Sequence, residues 1–171
     1  REGGWREYFG NSGIVASVVE YSGGKKNGAS LTMSSNGMVQ VDETFSNDVL
    51  EGIRFMYNEN GKIRVRESFR NGALVGNRQS YYDNGKTQEE GSYVDGNRDG
   101  LVKWYLQSGT LSAEYTYKNG VMEGPSKLYD ENGKVKLEGN YRNDLEEGEF
   151  KEYKDGLLVK RMNYKEGKLQ D

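Results

Sequence analysis

A glycine recurs every 24 residues along the sequence. It occupies seven positions: Gly4, Gly28, Gly52, Gly76, Gly100, Gly124 and Gly148. A repeat of this length is typical of proteins that stack one small supersecondary unit on the next. We therefore predict one repeat domain over residues 1–171, built from seven units that begin at these glycines.

Two further markers recur in the same units. A large side chain lies five residues after each repeat glycine; it is Phe9 in the first unit, Met33 in the second and tyrosine in the rest. We call these tyrosines the tyrosine column: Tyr57, Tyr81, Tyr105, Tyr129 and Tyr153. A second glycine lies nine residues after the first in six units, and the seventh unit is one residue short at Gly156.

The glycines leave room for short strands and not for helices. The longest stretch without glycine is the fourteen residues Met38–Glu51. Asn-Gly pairs such as Asn60-Gly61 and Asn119-Gly120 favour type I′ hairpin turns, because both central residues of that turn need positive φ. Apolar residues alternate with polar ones between the turns, as in a half-buried strand. The sequence predicts an all-β fold, an elongated single-layer antiparallel β-hairpin array of about 14 short strands.

Composition excludes several classes of function. The chain has 24 basic and 27 acidic residues, a net charge of −3, and neither cysteine nor histidine. This balance disfavours nucleic acid as a partner. The missing residue types remove thiol chemistry, imidazole triads and common zinc sites. No apolar run is long enough for a membrane-spanning segment. We predict no enzymatic activity and no cofactor.

The repeat resembles a known family. Gly124-Pro-Ser-Lys-Leu-Tyr129 is followed by Asn132-Gly133, Leu137 and Tyr141. This pattern is similar to the bacterial variant of the MORN repeat. The resemblance implies a twisted β ribbon used for binding or as a scaffold, with some members labelled as antitoxins. It also favours a bacterial envelope or secreted location, although the sequence leaves the compartment open.

The tyrosine column is our first candidate binding site. A single-layer sheet leaves its apolar face partly uncovered, so regularly spaced rings could contact a ligand. The alternative is that these rings stack on one another and form the only core of the array. Where a second large side chain precedes the column residue, the opposite face of the sheet also offers a surface that a partner could contact. Trp104 is the strongest single contact candidate on that basis.

Two groups of acidic residues suggest further sites. Asp144, Glu146, Glu147 and Glu149 form an acidic patch that could attract a basic partner, or a solvated outer face of the last hairpin. Asp95, Asn97 and Asp99 match the start of a calcium loop, but Leu106 stands where the bidentate glutamate is needed. We predict no metal site there.

These observations favour recognition of another protein by a scaffold module. The alternatives are a glycan-binding module that uses the rings as a ladder and, less favoured, a phospholipid-associated scaffold, for which the sequence has no basic stripe. Exposed end strands also make self-association plausible.

Overall fold

The protein, described as a computed structural model over all 171 residues, contains 17 β-strands and no helix. Each strand pairing within the two compact units below is antiparallel. The predicted all-β hairpin array is confirmed. The chain divides into unit 1, Arg1–Gly85, and unit 2, Lys86–Asp171, each of which is described by itself.

Unit 1 contains nine strands: β1 (Gly3–Tyr8), β2 (Val15–Ser22), β3 (Lys25–Met33), β4 (Val39–Ser46), β5 (Val49–Leu50), β6 (Gly52–Tyr57), β7 (Ile63–Arg70), β8 (Ala73–Leu74) and β9 (Gly76–Tyr81). Unit 2 contains eight: β10 (Thr87–Val94), β11 (Asn97–Tyr105), β12 (Leu111–Lys118), β13 (Val121–Tyr129), β14 (Val135–Arg142), β15 (Leu145–Lys154), β16 (Leu157–Lys165) and β17 (Lys168–Leu169).

The strand count exceeds the predicted fourteen because two hairpin arms are interrupted. β5 and β6 both pair with β4, and β8 and β9 both pair with β7. Each interruption immediately precedes a repeat glycine with positive φ, 85° at Gly52 and 69° at Gly76. Such a residue creates a bulge that breaks the ladder locally. The two-residue strand β17, which pairs with β16, accounts for the remaining difference.

The turns between hairpins agree with the predicted type I′ geometry. Asn71 and Gly72 have φ of 51° and 78°, and Asn119 and Gly120 have 50° and 85°. The positive φ at both central residues matches the right-handed twist of the flanking strands.

The turns inside the hairpins differ from the prediction. In Asn60-Gly61 only the glycine has positive φ, 72°. The Gly61 amide donates to the Asn58 carbonyl at 2.9 Å, and the Asn58 amide donates to the Lys62 carbonyl at 2.9 Å. This is a type I turn followed by one left-handed residue, which introduces a bulge. The register shift between Met56 and Tyr57 accommodates that bulge.

The first hairpin is offset by one residue from the sequence pattern. Gly3, with φ of 70°, pairs with Tyr21 in the way that Gly100 pairs with Tyr117. Gly4 has ordinary backbone geometry. The offset places Tyr8, not Phe9, at the register position of the tyrosine column.

Each sheet has two distinct faces. In unit 2, Val102 lies directly opposite Tyr115, and Trp104 lies opposite Ala113; we call this side the ring face. Lys103 lies opposite Glu114 on the other side, which we call the polar face. The ring face contains the most buried side chains, Val102 at 0% exposure and Phe150 at 3%. Packing therefore stabilises one side of the layer.

Gly100→Val tests the role of the bulge glycine. Gly100 has φ of 102°, a conformation that a β-branched residue adopts only with strain. We expect a loss of about 2 kcal/mol in the free energy of unfolding, measured by denaturant titration. Gly4→Val is the control, because a Cβ there meets no atom within 4 Å. Equal losses for the two variants would contradict the assigned role.

Candidate binding surfaces

Six aromatic rings form a continuous row across the ring face of unit 2. Consecutive ring centroids lie 5.2 to 6.4 Å apart, within the range of favourable aromatic contacts. We call this set the ring row; in order of contact it consists of Tyr117, Trp104, Tyr115, Tyr141, Phe150 and Tyr164.

Small residues on neighbouring strands allow the large side chains to lie flat against the sheet. Gly139 lies on β14 beside Phe150, and a Cβ at Gly139 would overlap the Phe150 ring. Gly91 on β10 lies directly opposite Val102, and a Cβ there would come within 2.8 Å of the valine side chain. These two glycines do not have positive φ, so close packing, and not backbone strain, explains them.

Only Phe150 in the ring row is buried; the other five rings are half-buried. Burial raises the pKa of Tyr141 to about 12, and the neighbouring Tyr115 contributes further. Burial also raises the pKa of Tyr115 and Tyr117. Tyr115, Tyr117 and Tyr141 therefore stay neutral at physiological pH, and the row presents a partly exposed apolar surface.

Trp104 lies within the ring row, and its indole N–H has a hydrogen-bond acceptor. Its Nε1 donates a hydrogen bond to Glu89 Oε2 at 3.1 Å. The Arg98 guanidinium lies 5.5 Å from both the Trp104 and Tyr117 rings and pairs with Glu89 at 3.2 Å. These contacts fix the indole in one orientation while part of its surface stays accessible to a partner.

The tyrosine column of unit 2 lies on the opposite, polar face. Each hydroxyl donates a hydrogen bond to a glutamate fifteen residues earlier: Tyr105 to Glu90 at 2.7 Å, Tyr129 to Glu114 at 2.6 Å and Tyr153 to Glu138 at 2.8 Å. These three rings do not contact one another. The column thus forms a series of tyrosine–glutamate hydrogen bonds between adjacent hairpins, and the ring row supplies the packing.

The column members in unit 1 follow the same spacing with different partners. Asp42 lies fifteen residues before Tyr57, and the pKa of Tyr57 is raised by burial and by this carboxylate. Arg66 takes the corresponding position before Tyr81, which donates instead to Gln79 at 3.1 Å. A column tyrosine therefore pairs with an acid only where the residue fifteen positions earlier is acidic.

Alternating charges cross the polar face of unit 2 beside the column. The charged residues lie directly opposite one another on successive strands; they are Glu90, Lys103, Glu114, Lys127, Glu138 and Lys151. Cross-strand pairs of opposite charge stabilise a sheet. Sequence reasoning missed this charge row, although its signal was present as glutamates and lysines that each recur every 24 residues.

The four residues of the predicted acidic patch have different partners, and two of them, Glu147 and Glu149, form ion pairs. Asp144 accepts a hydrogen bond from the Met122 amide at 2.7 Å, and Glu147 accepts one from the Glu166 amide at 3.0 Å. Glu149 contacts Arg161 at 2.6 Å, and this hydrogen bond lowers the pKa of Glu149. Glu146 lies on the ring face opposite Tyr141. The predicted patch therefore stays a prediction.

The calcium-like segment also has a structural role. The Asp99 carboxylate accepts a hydrogen bond from the Asn119 amide at 3.1 Å, which links β11 to the next type I′ turn. Glu51, Glu123 and Glu147 make the equivalent bond in their own repeats. No group of three or more acidic residues in the structure is arranged to hold a metal ion.

Comparison with protein families gives four consecutive matches to the MORN repeat variant, at residues 50–71, 74–95, 98–119 and 122–143. Together they cover just over half of the chain. The protein belongs to the MORN repeat variant family. MORN repeats form binding or scaffold modules that are generally non-catalytic. A comparison with curated proteins gives no match.

The MORN matches coincide with the regular part of the array. Each match ends at the first residue of a type I′ turn: Asn71, Asp95, Asn119 or Asn143. Three hairpins lie outside the matches. The first and the last are offset by one residue, at Gly3 and at the Gly148–Tyr164 pair. The second has Met33 in place of an aromatic residue. The structure contains no helix that could span a membrane.

Tyr129→Phe tests the tyrosine–glutamate hydrogen bond of the MORN hairpin. Burial raises the pKa of Tyr129 to about 12, and the hydrogen bond to Glu114 contributes further. A folded-state pKa above the unfolded value of about 10 gives stability that is present below pH 10 and is lost as the pH rises to 12. We expect the variant to be about 1 kcal/mol less stable at pH 8.

That difference should disappear above pH 12, as measured by denaturant titration across this pH range. Tyr129 absorbance at alkaline pH, taken as the difference between the two proteins, reports the same ionisation. A stability difference that persists unchanged above pH 12 would contradict the proposed hydrogen bond.

Proposed function

We propose that this MORN protein is a non-catalytic recognition or scaffold module that binds another protein through the ring face of unit 2. The observation that carries the proposal is the ring row, in which five of six rings are half-buried on an uncovered face of a single sheet. Partly exposed aromatic residues supply much of the binding energy in protein interfaces. We propose Trp104 as the principal contact.

The surroundings of the row favour a protein over a glycan. The planes of contacting rings in the row meet at 58° to 85°, so the rings pack edge to face and do not present parallel flat surfaces. Leu128 and Leu137 continue the strand register beyond Trp104, and both are half-buried. Mixed aromatic and aliphatic surface suits an apolar protein segment, whereas sugar binding requires flat rings flanked by amide or carboxylate groups.

The polar face would contribute orientation more than affinity. Its charges are paired across the strands, as in Lys103–Glu114 at 3.8 Å and Lys151–Glu138 at 4.0 Å. Exposed ion pairs of this kind contribute little net energy but oppose wrong partners. The tyrosine column and the acidic residues Asp144, Glu146, Glu147 and Glu149 are secondary contact candidates. A bacterial envelope or secreted scaffold is the setting that we propose, on the family resemblance alone.

Site-specific photocrosslinking in the source cell tests this assignment. A photoreactive phenylalanine analogue replaces Leu128 on the ring face or its neighbour Lys127, which is exposed on the polar face. We expect the position-128 protein to capture a discrete partner protein at least about tenfold more efficiently. Adding Trp104→Ala should reduce that yield about tenfold while leaving the β-type circular dichroism spectrum unchanged.

Three results would contradict the proposal. They are equal capture at positions 127 and 128, capture that does not respond to Trp104→Ala, and a captured product that glycosidase treatment removes.

A further inference from the structure

Unit 1 contains an open groove. It encloses about 790 Å³ and extends from β1 to the turn that follows β6. Ser17 and Thr32 lie opposite each other in the adjacent strands β2 and β3 and line the groove. The turn over residues 34–37 and the residues Asn58 and Glu59 also line it.

The groove arises because one repeat position holds a smaller residue in unit 1 than in unit 2. Thr32 is the last residue before the bulge in β3, the position that Trp104 holds in β11 and Leu128 holds in β13. Ser17 is paired with Thr32 as Ala113 is paired with Leu128. The small side chain of Thr32 therefore replaces a bulky one, its partner Ser17 is also small, and space opens above the pair.

The groove combines apolar walls with uncompensated acids. Phe9, Met33 and Met38 line it, and Met38 is 38% exposed. Unbranched thioether side chains adapt to varied partner shapes. Glu7 and Glu59 also line the groove, and neither forms a salt bridge. No lysine or arginine lines it, in contrast to the ion pairs that Glu147 and Glu149 form in unit 2.

The number of strands between the two glutamates indicates how long a ligand must be to contact both. Glu7 lies on β1 and Glu59 follows β6, so four strand spacings of about 4.8 Å, or about 19 Å in total, separate their strands. An extended peptide covers this distance in about six residues.

We infer that the groove is a second docking site for a partner protein, and that it binds an extended segment in which two basic residues flank apolar ones. The inference rests on the proposed function only in taking the partner to be a protein. Its residues belong to unit 1, whereas the proposed primary contact belongs to unit 2, so the two can fail separately.

Fluorescence anisotropy with a defined peptide tests the inference. The probe is a fluorescein-labelled peptide, Ser-Lys-Leu-Thr-Leu-Thr-Leu-Lys-Ser, and the matched peptide carries glutamate in place of both lysines. We expect the lysine peptide to bind the full chain at least about tenfold more tightly than the glutamate peptide, with the difference reduced in about 0.5 M salt.

Variants assign the binding to the groove. Glu7→Gln and Glu59→Gln should each weaken binding about threefold. Glu131→Gln is the matched control, because Glu131 holds the same repeat position in a turn of unit 2 and should leave binding unchanged. Thr32→Trp places in β3 the residue that fills this position in β11, and it should abolish binding while the circular dichroism spectrum stays β-type.

The inference is overturned if the two peptides bind equally, if the lysine peptide shows no binding, or if Thr32→Trp or both glutamine variants leave its affinity unchanged. Trp104→Ala should leave peptide affinity unchanged even though it reduces photocrosslinking. A loss of peptide affinity in Trp104→Ala would instead assign the peptide to the ring face and also overturn the inference.

Discussion

Contact between aromatic side chains on neighbouring strands is the interaction on which unit 2 depends. A single-layer sheet has no second layer against which to bury its apolar face, so side chains must cover one another across the strands. The ring row does this from Tyr117 to Tyr164, and Phe150, its one buried ring, packs over Gly139. The same constraint explains the function that we propose, because a row covered only by itself keeps part of every outer ring accessible to a partner.

The two faces of unit 2 stabilise the repeat through different contacts. The ring face supplies apolar packing, and the polar face connects adjacent hairpins through tyrosine–glutamate hydrogen bonds and a row of alternating charges. In β6, β7 and β9 of unit 1, the row that contains Val102 and Phe150 in unit 2 is instead charged. Glu67 is buried there between Arg54 at 2.6 Å and Arg78 at 2.9 Å. The attraction within a buried ion pair must first offset the cost of removing both charges from water. Such a pair therefore favours one strand register more than it adds to stability. Similar backbone hairpins thus carry chemically different surfaces.

The periodic features of the structure could be read from the sequence because they depend on local backbone requirements. Glycines at 24-residue spacing predicted the repeat of short strands, although not the bulges at these glycines. Asn71-Gly72 and Asn119-Gly120 predicted type I′ turns, because few other residues adopt positive φ. The turn at Asn60-Gly61 was predicted wrongly because the same dipeptide also fits a type I turn with one left-handed residue. The offset at Gly3 was missed because Gly3 and Gly4 are equivalent by composition, and only pairing with Tyr21 distinguishes them. The face of the tyrosine column was not predictable without the register, which sends Tyr105 toward Glu90 and Trp104 toward Tyr115.

Native-state hydrogen exchange tests most directly whether the ring row holds unit 2 together. Phe150→Leu leaves a cavity at the one buried ring of the row and should lower the protection of amides in β14 and β15 by about tenfold or more. Lys136→Ala removes an exposed side chain from β14 and should change protection less than about twofold. Unchanged protection in Phe150→Leu, or an equal loss in Lys136→Ala, would contradict the account.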